Sequence, residues 1–200
     1  PGFPDGIEGP ALLERLLIQA TEYGAERIAA KAERLCPREE DGFLVEAENV
    51  RFAARTVLLA TGVENVEPSL PDHDGAVRKG LLRYCPICDA HEVIGKRVVV
   101  VGNSARSAAE MSFLRTYSDD VSIAAANEDA AGVLRGAGCA PMGVVSQIAP
   151  EKDGLAVTFA GGRSEHFDTM YSCLGVRPQT ALAEQLGVRL AQEHTIETDK

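Results

Sequence analysis

The sequence has no run rich in lysine or arginine, and its 30 acidic residues outnumber its 20 basic ones, giving a formal net charge of −10. Nucleic acids and anionic membranes are bound through clustered positive charge, so neither is expected as a partner. No apolar stretch approaches the roughly 20 residues that a membrane-spanning helix needs, and no charged segment leads into an apolar leader. We therefore expect a cytoplasmic protein with no membrane partner.

Cysteine is scarce, with five residues in a chain of 200. An odd, scattered set does not suit the disulfide framework of a small secreted domain. Cys36, Cys139 and Cys173 are isolated and are expected to be small apolar fillers. Cys85 and Cys88 form one close pair, which indicates local redox or metal chemistry. Because the sequence opens without methionine, we expect it to be part of a longer chain.

The first third of the sequence predicts one helix and three strands. Apolar residues at helical spacing follow Pro10, and Gly24 supplies a stop. The segments FLVEA at 43–47 and VRFAA at 50–54 predict short antiparallel strands. TVLLATG at 56–62 predicts a fully buried strand that ends in a turn of small residues.

The remainder alternates between strand and helix patterns. KRVVVVG at 96–102, a helix over 104–118 and DDVSIAA at 119–125 predict a right-handed βαβ unit of a parallel sheet. A further helix is expected over 128–138, and Gly161 with Gly162 predicts a hairpin. DTMYSCLG at 168–175 predicts another buried strand. The pattern favours the α/β class, with a parallel sheet and a β-meander.

Cys85-Pro86-Ile87-Cys88 has the spacing that lets two sulfurs reach disulfide distance. Such a motif can lower the pKa of a thiol, so that a thiolate is available to attack another disulfide. Asp89 follows directly and could shuttle the proton of that exchange if its carboxyl group points to the pair.

Two alternatives to redox chemistry stay open for the pair. Cys85, Cys88 and His91 could form half of a zinc site, but no second close Cys/His pair completes a tetrahedron. Simple packing is the other alternative. A CxxC beside a βαβ unit favours redox function over both, and we predict no metal site.

The turn Gly102-Asn103-Ser104-Ala105-Arg106-Ser107 occupies the position of a dinucleotide-binding turn, where backbone N–H groups meet a pyrophosphate at a helix N-terminus. Only the first glycine is present, and Ser104 and Ser107 are small enough to replace the others. The next strand ends in Ala124-Ala125-Ala126-Asn127, without the acid that binds NAD or the arginine that binds NADP. A Rossmann-like module with a weakened or empty nucleotide site is therefore the alternative to a working one.

The order of GPALLERL, VLLATG, CPICD, VVVVG and LGVRPQT resembles the middle of the low-molecular-weight thioredoxin reductases and their relatives. The resemblance spans nearly the whole chain, and CxxCD shortly before the second nucleotide-binding strand is its most specific part. It implies two Rossmann-like domains that bind FAD and NADPH, and a CxxC that passes electrons from the flavin to a disulfide. It also implies a thioredoxin-like protein or another disulfide as substrate, and a homodimer.

Carried onto this sequence, the resemblance makes Cys85 and Cys88 the redox pair, with Cys88 nearer the flavin, and Asp89 the proton donor. It implies an NAD(P)-type domain over 77–175, inserted between parts of an FAD-type domain at 1–76 and 176–200. The residues it implies for cofactor binding are Gly102, Asn103, Ser104 and Ser107 on the nucleotide turn, and Thr61, Gly62 and Gly175 at the crossings to the FAD-type domain.

Three parts of the family pattern are not found. The glycine-rich strand for the ADP half of FAD would precede Pro1, and a GD segment that touches the flavin would follow Lys200. Ala125, Ala126 and Asn127 replace the arginine-bearing stretch that holds the NADPH phosphate. The choice between NADPH and NADH is thus open, and so is an alternative in which the protein is a nucleotide-binding or sensor relative, or uses another electron donor.

Overall fold

The computed structural model describes residues 2–198, which form two compact units. The first unit comprises the residues up to Ala60 and those from Thr180 onward, and the second comprises Thr61–Gln179. The assignment of 1–76 and 176–200 to an FAD-type domain and of 77–175 to an NAD(P)-type domain stays a prediction, and Pro1, Asp199 and Lys200 lie outside the described residues. Within those residues, no helix has the length and apolar character to span a membrane.

The first unit contains the predicted helix and the predicted pair of strands. The helix begins just before Pro10, whose fixed φ suits a first turn, and Gly24 follows it with a φ of +85°. The side-chain amide of Gln185 joins a short C-terminal helix to the sheet, accepting from Leu35 N–H at 2.7 Å and donating to Glu33 O at 3.0 Å. The elements are α1 Gly9–Glu22, β1 Ala32–Pro37, β2 Phe43–Ala47, β3 Val50–Ala54 and α6 Ala181–Glu184, with the strands in the antiparallel order β1-β2-β3.

The second unit is built on a four-stranded parallel sheet in the order β5-β11-β6-β7. Its two central strands, Val98–Gly102 and Thr169–Cys173, are buried at every position, as their unbroken apolar character predicts. The elements are β4 Val63–Asn65, α2 His73–Arg78, β5 Leu82–Arg83, α3 Pro86–Asp89, a 3-10 helix Ala90–Val93, β6 Val98–Gly102, α4 Ala105–Leu114, β7 Val121–Ala125, α5 Glu128–Gly136, β8 Val145–Glu151, β9 Gly154–Phe159, β10 Ser164–Phe167, β11 Thr169–Cys173 and β12 Val176–Pro178.

The core of this unit lies on both faces of the parallel sheet. On one face, α4 and α5 pack through side chains that include Met111, Leu114 and Leu134. On the other face, the antiparallel meander of β8, β9 and β10 packs through side chains that include Val157 and Phe167. The predicted α/β class, the βαβ unit and the hairpin are therefore confirmed. The hairpin turns at Gly161 and Gly162, both of which have a positive φ.

One sequence prediction is wrong. Residues 56–62 do not form a buried strand; they run as irregular chain, and Leu58 is 90% exposed. An apolar run becomes a strand only where neighbouring strands accept its backbone hydrogen bonds, and no described strand pairs with this one. Strand β1 was not predicted, because its sequence AERLCP has no clear alternation of apolar and polar residues.

Candidate redox-active site

Cys85 and Cys88 are joined by a disulfide, with their Cα atoms 5.3 Å apart. A single helical turn, α3, brings them together: Pro86 begins it, and Cys88 N–H donates to Cys85 O at 2.9 Å. Cys85 is half-buried, whereas Cys88 is exposed and its neighbour Ile87 is 85% exposed. The bond is therefore presented at the surface of the second unit.

Behind the disulfide lies a network of charged and polar side chains. Asp89 accepts hydrogen bonds on both carboxylate oxygens, from Arg83 Nη1 at 3.0 Å and from the Tyr171 hydroxyl at 2.5 Å. The other terminal nitrogen of Arg83 contacts Glu92 at 2.8 Å. Burial and the hydrogen bond to Asp89 raise the pKa of Tyr171, so this hydroxyl keeps its proton.

The sheet positions this network. Arg83 on β5 and Tyr171 on β11 are register partners in parallel strands, so their side chains project from the same face of the sheet. Sequence reasoning missed both residues, because the pairing of β5 with β11 joins segments that are far apart in the chain. The role of Asp89 as a proton donor stays a prediction; with the disulfide closed, its carboxylate is an acceptor.

Two cavities meet at Cys85. One cavity has a volume of about 460 Å³, and its lining includes the charged residues Lys79, Arg83, Asp89 and Glu92. The other, of about 330 Å³, is more apolar; Ile87, Ala109 and Phe113 line it together with Cys85. The half-buried Cys85 thus borders a charged cavity and an apolar one.

The predicted nucleotide turn lies at the carboxyl end of β6, where α4 begins. Ser107 Oγ accepts from the backbone N–H groups of Asn103 at 3.2 Å and Ser104 at 3.4 Å, and donates to Cys173 O at 3.0 Å. Those N–H groups belong to the part of such a turn that normally faces a pyrophosphate. A Cβ at Gly102 would lie 2.3 Å from Ser107 Cβ, so this glycine is required by close packing inside the turn.

A cavity of about 110 Å³ adjoins the turn and is lined by Ser104, Ser172, Cys173 and Gly175 among others. Ser172 is 4% exposed, and its hydroxyl has no hydrogen-bond partner among the described residues. Burial, with the nearby Glu110 carboxyl, raises the pKa of Cys173, which therefore stays a neutral thiol. An unpaired hydroxyl beside a helix N-terminus fits the phosphate-binding part of a dinucleotide.

The end of β7 carries no arginine for the phosphate of the ribose. Asn127 Oδ1 caps α5 by accepting from Ala130 N–H at 2.8 Å. Arg106 pairs with Glu110 at 3.0 Å, and Arg115 donates to Val121 O. The residues present therefore fit a pyrophosphate in part and do not fit the 2′-phosphate of NADPH.

Thr61, Gly62 and Gly175, predicted from the resemblance to lie near the flavin, flank the two-stranded ribbon of β4 and β12. Thr61 Oγ1 donates to Gln179 O at 2.5 Å, Gly62 O accepts from Gln179 N–H at 3.0 Å, and Val66 N–H donates to Gly175 O at 2.9 Å. These contacts hold the ribbon closed, and flavin binding by the three residues stays a prediction.

The zinc alternative has little geometric support. The closed disulfide occupies both sulfurs, and His91 is exposed. Over residues 2–198, no three His, Cys, Asp or Glu side chains are grouped as metal ligands.

Comparison with known proteins gives matches over most of the chain. The family model described as pyridine nucleotide-disulphide oxidoreductase matches residues 18–200. Thioredoxin reductase of Pneumocystis carinii is 34% identical over 125 residues, which cover 60% of this chain and 38% of that protein. Thioredoxin reductase of Peptoclostridium acidaminophilum is 31% identical over 125 residues, covering 62% of this chain and 38% of that protein. The match thus spans about two fifths of each curated relative.

Solved structures are similar over nearly the whole chain. The crystal structure of HlmI superposes with a TM-score of 0.79 at 27% identity, covering 98% of this chain and 64% of that one. Thioredoxin reductase of Streptococcus pyogenes MGAS5005 has a TM-score of 0.80 at 19% identity, covering 99% of this chain and 69% of that one. The second likeness concerns the fold alone.

Proposed function

Because this chain belongs to the pyridine nucleotide-disulphide oxidoreductase family, we propose that it acts in a flavin-dependent, thioredoxin reductase-like enzyme that reduces a disulfide through Cys85 and Cys88. The observation that carries the proposal is the closed disulfide on α3, which is presented at the surface and is separated from the Rossmann-like strand β6 by the 3-10 helix. The sequence similarity to two thioredoxin reductases supports the same reaction class.

The chemistry assigned to this chain is thiol-disulfide exchange. Bound flavin, once reduced by the electron donor, would supply the two electrons that open the Cys85–Cys88 bond. One cysteine then attacks the substrate disulfide as a thiolate, and the second closes the ring again and releases the reduced substrate. The exposure of Cys88 and Ile87 leaves this part of α3 accessible to either reaction partner.

The substrate is proposed to be a thioredoxin-like protein or another disulfide compound. The matched relatives are named thioredoxin reductases, which supports the protein substrate. An apolar cavity of about 330 Å³ beside Cys85 has the size of a small-ligand pocket, which supports the small-molecule alternative. A homodimer is proposed from the family resemblance alone, and a cytoplasmic location is proposed from the sequence features described above.

The nucleotide turn favours a second candidate function, in which the electrons do not come from NADPH. Ser107 already satisfies two backbone N–H groups of the turn, and Asn127 is used as a helix cap where a phosphate-binding arginine is expected. A relative of this kind would accept electrons from NADH or from another reductant, or would bind a nucleotide without reducing a disulfide.

Substitution of Cys88 tests the main proposal. Cys88→Ser in the full-length protein should abolish disulfide reduction while the visible flavin spectrum remains. Cys36→Ser is the matched control, because Cys36 lies on β1 in the first unit and is not disulfide-bonded. Turnover retained by Cys88→Ser would contradict the proposal.

The electron donor is tested by the flavin spectrum. We expect anaerobic addition of NADPH to bleach the flavin absorbance of the full-length protein slowly or not at all. Rapid bleaching by NADPH would contradict the second candidate. Rapid bleaching by reduced ferredoxin or NADH, without a response to NADPH, would support it.

A further inference from the structure

Arg83 is an unusual residue to find beside the cysteine pair, because its side chain is only 8% exposed. Burying a cation is costly unless it is paired and hydrogen-bonded. Arg83 meets that condition: Nε donates to Gly80 O at 3.2 Å, Nη1 to Asp89 at 3.0 Å, and Nη2 contacts Glu92 at 2.8 Å. Burial lowers the pKa of Arg83, but the hydrogen bonds to Glu92 and Asp89 outweigh it and raise the pKa. The guanidinium is therefore a permanent positive charge at this place.

Asp89 links the charged Arg83 side chain to the redox pair. It follows Cys88 directly in the chain and lines the same cavity as Cys85. The charged and titratable groups that face Asp89 or line this cavity are Arg83 from β5, Tyr84 directly after it, Tyr171 from β11, Glu92 from the 3-10 helix, and Arg78 with Lys79 from the end of α2. On its other side, Cys85 borders the apolar cavity, to which α4 contributes Arg106 and Glu110. Of these, Arg83 and Tyr171 contact the carboxylate directly.

An unpaired carboxylate at this position would oppose the chemistry. A negative charge next to a cysteine raises the free energy of its thiolate, and the thiolate is the species that attacks a disulfide. An adjacent guanidinium has the opposite effect. With Arg83 bound to Asp89, the guanidinium offsets part of the charge of this carboxylate, and it shares its remaining charge with Glu92.

We propose that Arg83 is a positioning residue for the proposed redox reaction, which holds Asp89 and offsets its charge so that the reduced Cys85–Cys88 pair can form a thiolate near neutral pH. The inference rests on the proposed function for its biological meaning, but thiol acidity is measurable without turnover. Reduction by dithiothreitol breaks the Sγ–Sγ bond, passes two electrons to the two sulfurs and oxidises the reagent to its cyclic disulfide. Deprotonation of one resulting thiol to solvent then gives the thiolate.

The test is the pH dependence of alkylation in the reduced full-length protein. Iodoacetamide reacts with the thiolate, and mass spectrometry of the peptide that carries Cys85 and Cys88 separates this reaction from that of the other three cysteines. For Arg83→Gln we expect the pH midpoint to rise by about one unit, the size of a single charge interaction at a partly buried site. Arg83→Lys, which keeps the charge and loses the planar fork, should restore part of the shift.

A double-mutant cycle tests whether Arg83 acts through Asp89. In an Asp89→Asn background, Arg83→Gln should move the midpoint by less than half as much as in the wild type. Equal shifts in both backgrounds, or no shift in a variant that melts as a folded protein, would overturn the proposal. Arg163→Gln is the matched control, since Arg163 also pairs with a carboxylate, Glu165 at 3.1 Å, but on the meander.

If Arg83→Gln does not fold, the exposed Glu92 offers a second route. Glu92→Gln frees the guanidinium from its other partner, so the midpoint should fall; an unchanged or higher midpoint would equally overturn the proposal. The proposed function can fail without the inference failing, because a protein that binds no flavin or reduces no disulfide would still show the shift in thiol acidity. A fully active enzyme with no shift in either variant would sink the inference alone.

Discussion

Arg83 and Tyr171 are register partners on neighbouring parallel strands, and both donate a hydrogen bond to Asp89. One residue of the cysteine-bearing turn is thereby fastened to two strands of the sheet. The turn itself is only four residues long, and Pro86 is its one buried residue. The hydrogen bonds to this carboxylate therefore help to hold the disulfide in place relative to the sheet.

Tyr171→Phe removes one of the two donors while keeping the buried ring. Asp89 loses a partner for one oxygen, and the cost of leaving a half-buried carboxylate oxygen unpaired is about 1–2 kcal/mol. We expect the free energy of unfolding in urea to fall by that amount. Tyr117→Phe is the control, because Tyr117 is 37% exposed and lies at the end of α4. Equal stabilities of Tyr171→Phe and the wild type would show that the network does not fasten the turn.

We expect the folded protein to lose stability at alkaline pH because of Tyr84, the residue that precedes Cys85. Its hydroxyl lies 2.6 Å from His73 Nε2, and burial, followed by the charge of Glu67, raises its pKa to about 12. A tyrosine in the unfolded chain ionises near pH 10, at about its model value. The raised pKa therefore stabilises the folded protein fully below about pH 10, and this contribution is lost as the pH rises towards 12.

The measurement is urea unfolding of wild type and Tyr84→Phe at several pH values between neutral and strongly alkaline. The wild type should lose stability more steeply than Tyr84→Phe across this window, because only the wild type carries Tyr84, whereas the raised pKa values of Tyr171 and Cys173 act in both proteins. Tyr23→Phe, at a residue that is 84% exposed, should follow the wild-type curve. Parallel curves for wild type and Tyr84→Phe would argue against a raised pKa.

Gly102→Ala tests the packing of the nucleotide turn. The added methyl group would meet Ser107 Cβ at 2.3 Å, so the turn or the start of α4 must shift, at a cost of about 1–3 kcal/mol. In a Ser107→Gly background the same substitution should cost less than half as much. Gly132→Ala is the matched control: nothing lies within 4 Å of its added Cβ, and alanine favours the interior of α5. An equal loss of stability in the wild-type and Ser107→Gly backgrounds would mean that the added methyl group does not clash with Ser107.

Features that depend on residues close together in the sequence are predictable from it, whereas features that depend on residues far apart in the sequence are not. The runs VVVVG and TMYSC predict buried strands because their apolar character is local, and CPIC predicts a disulfide because its spacing is local. The hydrogen bond from Tyr171 to Asp89 joins residues that are 82 positions apart in the sequence, so no local sequence pattern predicts it. The error at 56–62 has the same origin, since a strand needs neighbours that its own sequence does not contain.

Ser107 determines whether the backbone N–H groups of the nucleotide turn are available to bind an anion. Its Oγ accepts from the N–H groups of Asn103 and Ser104, so a pyrophosphate would have to displace it. Ser107→Ala keeps the Cβ that packs against Gly102 and frees both donors. We expect the substitution to tighten binding of NADH and NADPH by about tenfold, near the lower end of what one hydrogen bond to a charged group contributes.

Isothermal titration of the full-length protein with each nucleotide measures this change. Ser146→Ala is the control, because its hydroxyl donates to Thr158 O at 3.0 Å on the meander. Equal tightening for NADH and NADPH is expected, since a nucleotide bound at the turn would meet it with its pyrophosphate and not with its 2′-phosphate. Weaker binding by Ser107→Ala would mean that the serine hydroxyl contacts the nucleotide, and the turn would then be a working site in which Ser107 changes partners on binding.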